Sequence, residues 1–407
     1  MIAFHLPPAA MGSGHLRTLG FARHLAGFGW DPIVLSVRPF AYPSVALVSA
    51  DAIREEFVVA RALALDARRH FGISGKYPAF LAQPDRWNSW WPAAVLQGLR
   101  LVRRHRVRAI WSTYPIMTAH CIAHTLAGMT RLPWIADFRD PVSSSVEAGN
   151  PYTIASQQRW ERRVLRRATR TVFTTPGAMR DYSERYPAVS DESRLALIPN
   201  GYDENGFADL PSAPHPRNGR PLMMLHSGLL YPEGRNPVPF LTALARLKAS
   251  GAVGVGSLKV VFRAGGSEIS YAREIQRLGL EEMVILAPHV SNRKALEEQS
   301  LADALLLFQG SRYDRQIPAK VYEYLRIGRP IFALVGERGD TANLLRGTGG
   351  AELVPLEDVS AIEEGLRTFI EALQQDRAPQ ARPGAIGKFS RREGAAVLAG
   401  LLDEVAK

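Results

Sequence analysis

The sequence predicts an α/β protein built as two doubly wound domains. Three observations carry this. Short apolar runs alternate with helical patterns from end to end, the runs are apolar throughout rather than alternating, and a proline-rich stretch divides the series. Strands buried on both faces belong to parallel sheets covered by helices. With 407 residues, 46% hydrophobic and 22% charged, the chain exceeds one ordinary core and has the composition to fill two.

The predicted strands of the first half are Ile2–Leu6, Ile33–Val37, Ala109–Ser112, Trp134–Asp137, Thr171–Thr174 and Leu195–Ile198. Between the first two, Leu16, Leu19, Ala22 and Leu25 recur at helical spacing over His15–Phe28, and Gly27 and Gly29 stop that helix. Residues 208–221 hold four prolines and few apolar side chains, as a linker does. The strands of the second half are Leu222–His226, Leu258–Phe262, Met283–Leu286, Ala304–Phe308, Ile331–Leu334 and Ala351–Val354. Residues 1–207 therefore form a first domain and 222–389 a second. A last helix from about 390 to 407 is free to pack on either.

Composition excludes several classes. No run approaches the roughly 20 apolar residues of a membrane span. Met1 leads straight into Ile2–Leu6 without the basic segment of a secretory signal. One cysteine, Cys121, excludes an internal disulfide, and the ten histidines lack metal-binding spacing, so no metal and no cofactor are expected. A cytoplasmic location follows. The formal charge of +11 is concentrated in two arginine clusters, Arg100–Arg108 and Arg159–Arg170. Such clusters serve an anionic partner or a solvated helix face. No nucleic-acid motif accompanies them, so nucleic acid is not an expected partner. Arg86-Trp87-Asn88-Ser89-Trp90-Trp91-Pro92 suits a membrane interface or a core anchor equally well.

Ligands of open α/β sheets bind beyond the carboxyl ends of the strands, so the strand-end loops hold the candidate chemistry. After the first strand, Gly12-Ser13-Gly14 opens a helix, where glycine lets backbone approach an anion. No dinucleotide fingerprint is present, because Arg17 stands where the last glycine belongs. Asp137-Phe138-Arg139-Asp140-Pro141 sets two carboxylates around an arginine at a strand end, suited to orienting a hydroxyl or capping a loop. In the second half, Ser227-Gly228 and Arg235 follow one strand, Arg263 ends another, and His289-Val290 follows a third. Pro318-Ala319-Lys320-Val321-Tyr322-Glu323 then opens a helix with Lys320 and Glu323 on one face. An ammonium at a helix start suits a diphosphate, and a carboxylate beside it suits sugar hydroxyls.

These motifs resemble glycosyltransferase family 4, of the GT-B fold and the bacterial cell-surface polysaccharide type. The resemblance runs nearly the whole chain. Its most specific segments are "ADFRDP", "LHSGLLYPEGRNPVPFLTAL" and "PAKVYEYLRIGRPIFAL". It implies two Rossmann-like domains facing an interdomain cleft, with the last helix crossing back to the first domain. It implies transfer of a sugar from a nucleotide-diphosphate sugar to a saccharide or lipid-linked acceptor, with retention and without a metal. The arginine clusters and the Trp87–Trp91 stretch point to an acceptor reached at the inner membrane face.

Carried over residue by residue, the resemblance places Glu323 on the nucleotide ribose, and Lys320 and Arg235 on the diphosphate. Gly12, Ser13, Gly14, Ser227, Gly228, Arg263, His289, Val290 and Pro318 would line the donor site. Asp137, Arg139 and Asp140 would be the catalytic group. The chain departs from the family pattern at Arg315, where many members carry a glutamate, at Leu229, where an arginine is usual, and at Arg139, where many carry a histidine. Two alternatives share the fold: a non-catalytic partner subunit, which Arg315 and Leu229 favour, and a sugar-nucleotide epimerase.

Overall fold

A computed structural model describes residues 1–9, 12–45, 56–73, 76–142, 151–211, 219–266 and 268–407. The chain divides into two compact units, Met1–Asn200 with Arg391–Lys407, and Gly201–Ser390. Each is a parallel α/β layer structure, as the apolar runs predict.

In the first unit the strands are β1 (Ile33–Val37), β2 (Val58–Ala62), β3 (Ile110–Thr113), β4 (Trp134–Phe138), β5 (Arg170–Phe173) and β6 (Leu195–Leu197). β1 pairs with β2, and β3 to β6 pair in chain order, all parallel. The run predicted as a strand over Ile2–Leu6 is shorter. Ile2 bridges both Leu35 and Ser112, with Ile2 N donating to Trp111 O and Ala3 N to Leu35 O. It thereby joins the two strand groups, but pairing stops there and Phe4 turns into the core against Trp87 and Trp90. β2 was not predicted. Val58–Leu65 is rich in alanine and leucine and reads as helix by propensity; pairing with β1 overrides that preference.

Trp90 is fully buried and Trp87 nearly so, while Trp91 donates its indole N–H to Thr125 Oγ1. The tryptophan-rich segment is therefore a core anchor. At the end of the Trp90–His105 helix and beyond it, the exposed side chains are His105 and the arginines Arg100, Arg103, Arg104, Arg106 and Arg108; Leu96 is exposed one turn earlier.

The Arg391–Val405 helix packs on Leu16–Leu25. Ala395, Leu398, Ala399 and Leu402 meet Phe21 and Leu25 in one apolar cluster. A Cβ on Gly20 would fall 2.6 Å from the Arg391 side chain, so glycine is what lets the two helices approach. Trp30 Nε1 adds a hydrogen bond to Asp403.

The second unit holds β7 (Leu222–Ser227), β8 (Leu258–Arg263), β9 (Val284–Ala287), β10 (Ala304–Gln309), β11 (Ile331–Val335) and β12 (Ala351–Val354) in the order β12-β11-β10-β7-β8-β9. Every residue of β10 and β11 is buried, which is why both read as unbroken apolar runs. The sheet order reverses between β7 and β10. The residues around 201–207 go with this unit rather than the first, because Tyr202 is buried and pairs with Ser390. Of the predicted linker 208–221, residues 212–218 lie outside the described residues.

Candidate functional site

Strand order reverses between β7 and β10, at whose carboxyl ends ligands of such sheets bind, and five polar residues gather there. His226 and Ser227 end β7, Gln309 ends β10, Arg235 comes from the loop after β7, and Lys320 comes from the first turn of the Ala319–Ile327 helix. Lys320 Nζ lies 3.3 Å from Nε2 of the fully buried His226. Gly228 makes this possible. Its φ of 118° is open to glycine, and a Cβ there would fall 2.7 Å from Nζ.

Arg235 directs Nε and Nη2 to Gln309 Oε1, both at 3.3 Å, and its guanidinium stands 5.1 Å over the Tyr231 ring. The buried Gln309 is itself held, donating Nε2 to the carbonyls of Tyr313 and Gln316. Burial, reinforced by the nearby Arg235 and opposed by Glu323, lowers the Lys320 pKa to about 7. Two cations are thus forced together at a helix start beside one carboxylate, an arrangement that an incoming polyanion relieves. Pro318 occupies the cap position of the helix, which has no side-chain cap, so the N–H groups of its first turn lack a side-chain acceptor there. The Ser227 N–H donates to the buried Tyr324 hydroxyl, tying the end of β7 to the same helix.

Three further residues expected at the donor site are placed as follows. Arg263, paired with Ser227 across β7 and β8, grips Glu298 with two 2.8 Å bonds and gives a third donor to the Pro288 carbonyl. His289 is exposed and Val290 half-buried after β9, at the sheet edge and two strands from the reversal.

In the first unit the reversal lies at Ile2, flanked by β1 and β3, and the loops there gather a second group. Arg139 Nη1 donates to the Gly14 carbonyl and Nε to Asp140 at 3.3 Å. Asp140 keeps 43% of its side chain in solvent. Gly12, Ser13 and Gly14 form the 3-10 turn Gly12–His15; the Ser13 side chain lies outside what is described. His5 rests against Gly14 with its Nδ1 buried and, among the described residues, without a hydrogen-bond partner. Its pKa falls to about 4, first by burial and then through Arg139 and His15, so it is a neutral imidazole at pH 7.

Asp137 does not belong to this open group. It is fully buried and accepts from Arg17 Nε at 2.8 Å and Nη2 at 3.0 Å, with Thr113 Oγ1 at 3.3 Å. Of the three residues expected to be catalytic, Asp137 is therefore the one whose oxygens are both engaged within the first unit. The signal was partly present: Arg17 opens the first helix, and Asp137 is the first carboxylate after an apolar strand. Sequence reasoning missed His226, His5, His15 and Gln309. Each sits at a strand end or loop where only the fold reveals its neighbours.

Comparison with known proteins bears on the fold and on the first unit. Residues 12–201 match the model of a glycosyl transferase 4-like domain. No curated protein matches the chain by sequence. Among solved structures, the chain is similar to Anabaena HepE in complex with UDP and glucose, with 14% identity, TM-score 0.66 and 99% of both chains covered. It is similar to sucrose-phosphate synthase from Thermosynechococcus elongatus, with 16% identity, TM-score 0.62, all of this chain and 95% of that one. A putative UDP-N-acetylglucosamine 2-epimerase from Listeria monocytogenes matches with 12% identity, TM-score 0.57 and coverage of 99% and 95%. At such identities the likeness is one of fold. The chain has the two-unit, Rossmann-like GT-B fold over its whole length, and over residues 12–201 it carries the sequence pattern of a glycosyl transferase 4-like domain.

Proposed function

We propose that this chain is a glycosyltransferase that moves a sugar from a nucleotide-diphosphate sugar to a saccharide or lipid-linked acceptor, as in surface polysaccharide or glycan synthesis. The observation that carries the reading is the convergence of Arg235 and Lys320, with Glu323, at the strand reversal of the second unit. The fold likeness to a protein bound to UDP and glucose supports it.

In the reaction the bond between the anomeric carbon and the diphosphate oxygen breaks, and its electron pair leaves with the diphosphate. Arg235, Lys320 and the helix start at Pro318 meet that growing negative charge with fixed positive charge and N–H dipoles, the role a metal plays elsewhere. Glu323, three residues beyond Lys320, accepts from ribose hydroxyls. The acceptor hydroxyl oxygen bonds to the anomeric carbon on the leaving-group face and gives its proton to the departing diphosphate oxygen, so configuration is retained. We assign the acceptor to the first unit, where Asp140 is open to solvent and Arg139 holds the Gly14 turn. The exposed arginines around Arg103–Arg108 suit an anionic acceptor or lipid surface.

Calorimetry with UDP, GDP, TDP and their common sugars on wild type and Glu323→Ala tests the reading. Selective binding weakened by the substitution is expected. Absence of binding to all of them favours the non-catalytic partner subunit. A second reading, a sugar-nucleotide epimerase, draws on His5 and His15 beside Arg139; it requires turnover of the donor with no acceptor present.

A further inference from the structure

We infer that His226 is the positioning residue for Lys320: its Nε2 lone pair accepts one ammonium proton and so fixes where the other two N–H bonds point. This rests on the donor-site reading of Lys320 given above.

The tautomer follows from geometry. His226 Nδ1 lies 2.9 Å from the Leu306 carbonyl of the neighbouring strand. A carbonyl oxygen only accepts, so Nδ1 carries the hydrogen and Nε2 presents a lone pair. That lone pair faces Lys320 Nζ at 3.3 Å. The ring cannot swing away, because Phe308 and Phe262 pack edge-on against it at 5.1 and 6.4 Å between centroids. Gly228 keeps the approach of Nζ clear.

The groups around the imidazole are Lys320, Arg235 and the carbonyls of Leu306 and Gly228. Those around the amine are His226, Arg235 and Glu323. Burial and the Lys320 charge hold the imidazole well below its ordinary pKa, so it remains a neutral acceptor across the range in which the amine titrates. A lysine ammonium is otherwise a rotating point charge on a flexible stem. Holding one of its N–H bonds orients the remaining two for a phosphate oxygen before any ligand arrives.

Two measurements test this without reference to the donor. Nitrogen-15 histidine spectra of the wild-type chain should show His226 protonated at Nδ1 and bare at Nε2; the opposite tautomer overturns the inference. Competitive acetylation of Lys320 followed by mass spectrometry gives the midpoint of the amine. In His226→Leu that midpoint should fall by about one pH unit, because the ammonium loses its acceptor. His226→Gln, which keeps an acceptor oxygen at similar reach, should restore it. An unchanged midpoint in folded His226→Leu overturns the inference.

UDP affinity then separates the two claims. It should fall about tenfold at pH 8 in His226→Leu and much less at pH 5.5. Failure of UDP, GDP and TDP to bind wild type removes the donor reading, while the tautomer and the amine midpoint still decide the role of His226.

Discussion

Arg17 grips both carboxylate oxygens of Asp137, at 2.8 and 3.0 Å, from 120 residues away in the chain. The same guanidinium donates to the carbonyls of Ile198 and Pro199, so one side chain ties the first helix to the ends of β4 and β6. With side chains 5% and 0% exposed, neither ion has water to fall back on if its partner is removed. Arg17→Ala or Asp137→Ala should therefore cost about 3–5 kcal/mol of stability. Urea denaturation checks this, with Asp140→Ala as the contrast. Asp140 is exposed, so its loss should leave the midpoint nearly unchanged and reduce turnover instead.

Removing either charge at the strand reversal of the second unit should weaken donor use. Lys320→Ala and Glu323→Ala are each expected to lower kcat/KM for the nucleotide sugar more than tenfold, or about 1.4 kcal/mol and upward. Arg263→Ala should change nucleotide affinity little, because Glu298 and Pro288 engage that guanidinium. Steady-state kinetics of the three variants, with Arg235→Ala beside them, decide between the two arginine assignments.

The lowered amine of Lys320 gives a pH signature of known sign. The ammonium is the form that attracts phosphate, so nucleotide affinity should decline as pH rises through about 7. Stability moves the other way. Between about 7 and the ordinary lysine value of 10.5, the unfolded chain binds the proton that the folded chain has released. Stability from this group therefore rises with pH across that window, and below it the buried charge is a burden. Lys320→Met should abolish both slopes, by calorimetry for the nucleotide and by urea titration at pH 6.5, 8 and 9.5 for the fold.

Gly228 is predicted to be intolerant of any side chain. Alanine there must hold φ near 118° and place its Cβ 2.7 Å from Lys320 Nζ. The backbone strain is on the order of 1–3 kcal/mol. Displacement of the amine should appear separately, as a loss of nucleotide affinity greater than tenfold. A Gly228→Ala chain with full affinity and an unchanged midpoint speaks against the close approach.

The fold was legible in sequence where burial is two-sided. β10 and β11 are apolar at almost every position because helices cover both faces, and no other reading fits such runs. β2 was hidden because Val58–Leu65 has the composition of a helix and becomes a strand only beside β1. For the site, Lys320 and Glu323 were legible because they are neighbours on one helix face. Arg235 and Arg263 were indistinguishable, since each follows a strand of the same sheet. What separates them is Glu298, which reaches Arg263 from a helix 35 residues on. His226 was illegible for the same reason: a histidine ending an apolar strand looks like any buried histidine until Leu306 and Lys320 are placed on either side of it.

The helix Arg391–Val405 belongs to the first unit although the whole of Gly201–Ser390 precedes it in the chain. During synthesis, Phe21 and Leu25 therefore emerge long before Ala395, Leu398 and Leu402 exist to cover them. The unit that begins first is finished last. Until then it presents an uncovered apolar face while the second unit, contiguous in sequence, is free to fold on its own schedule.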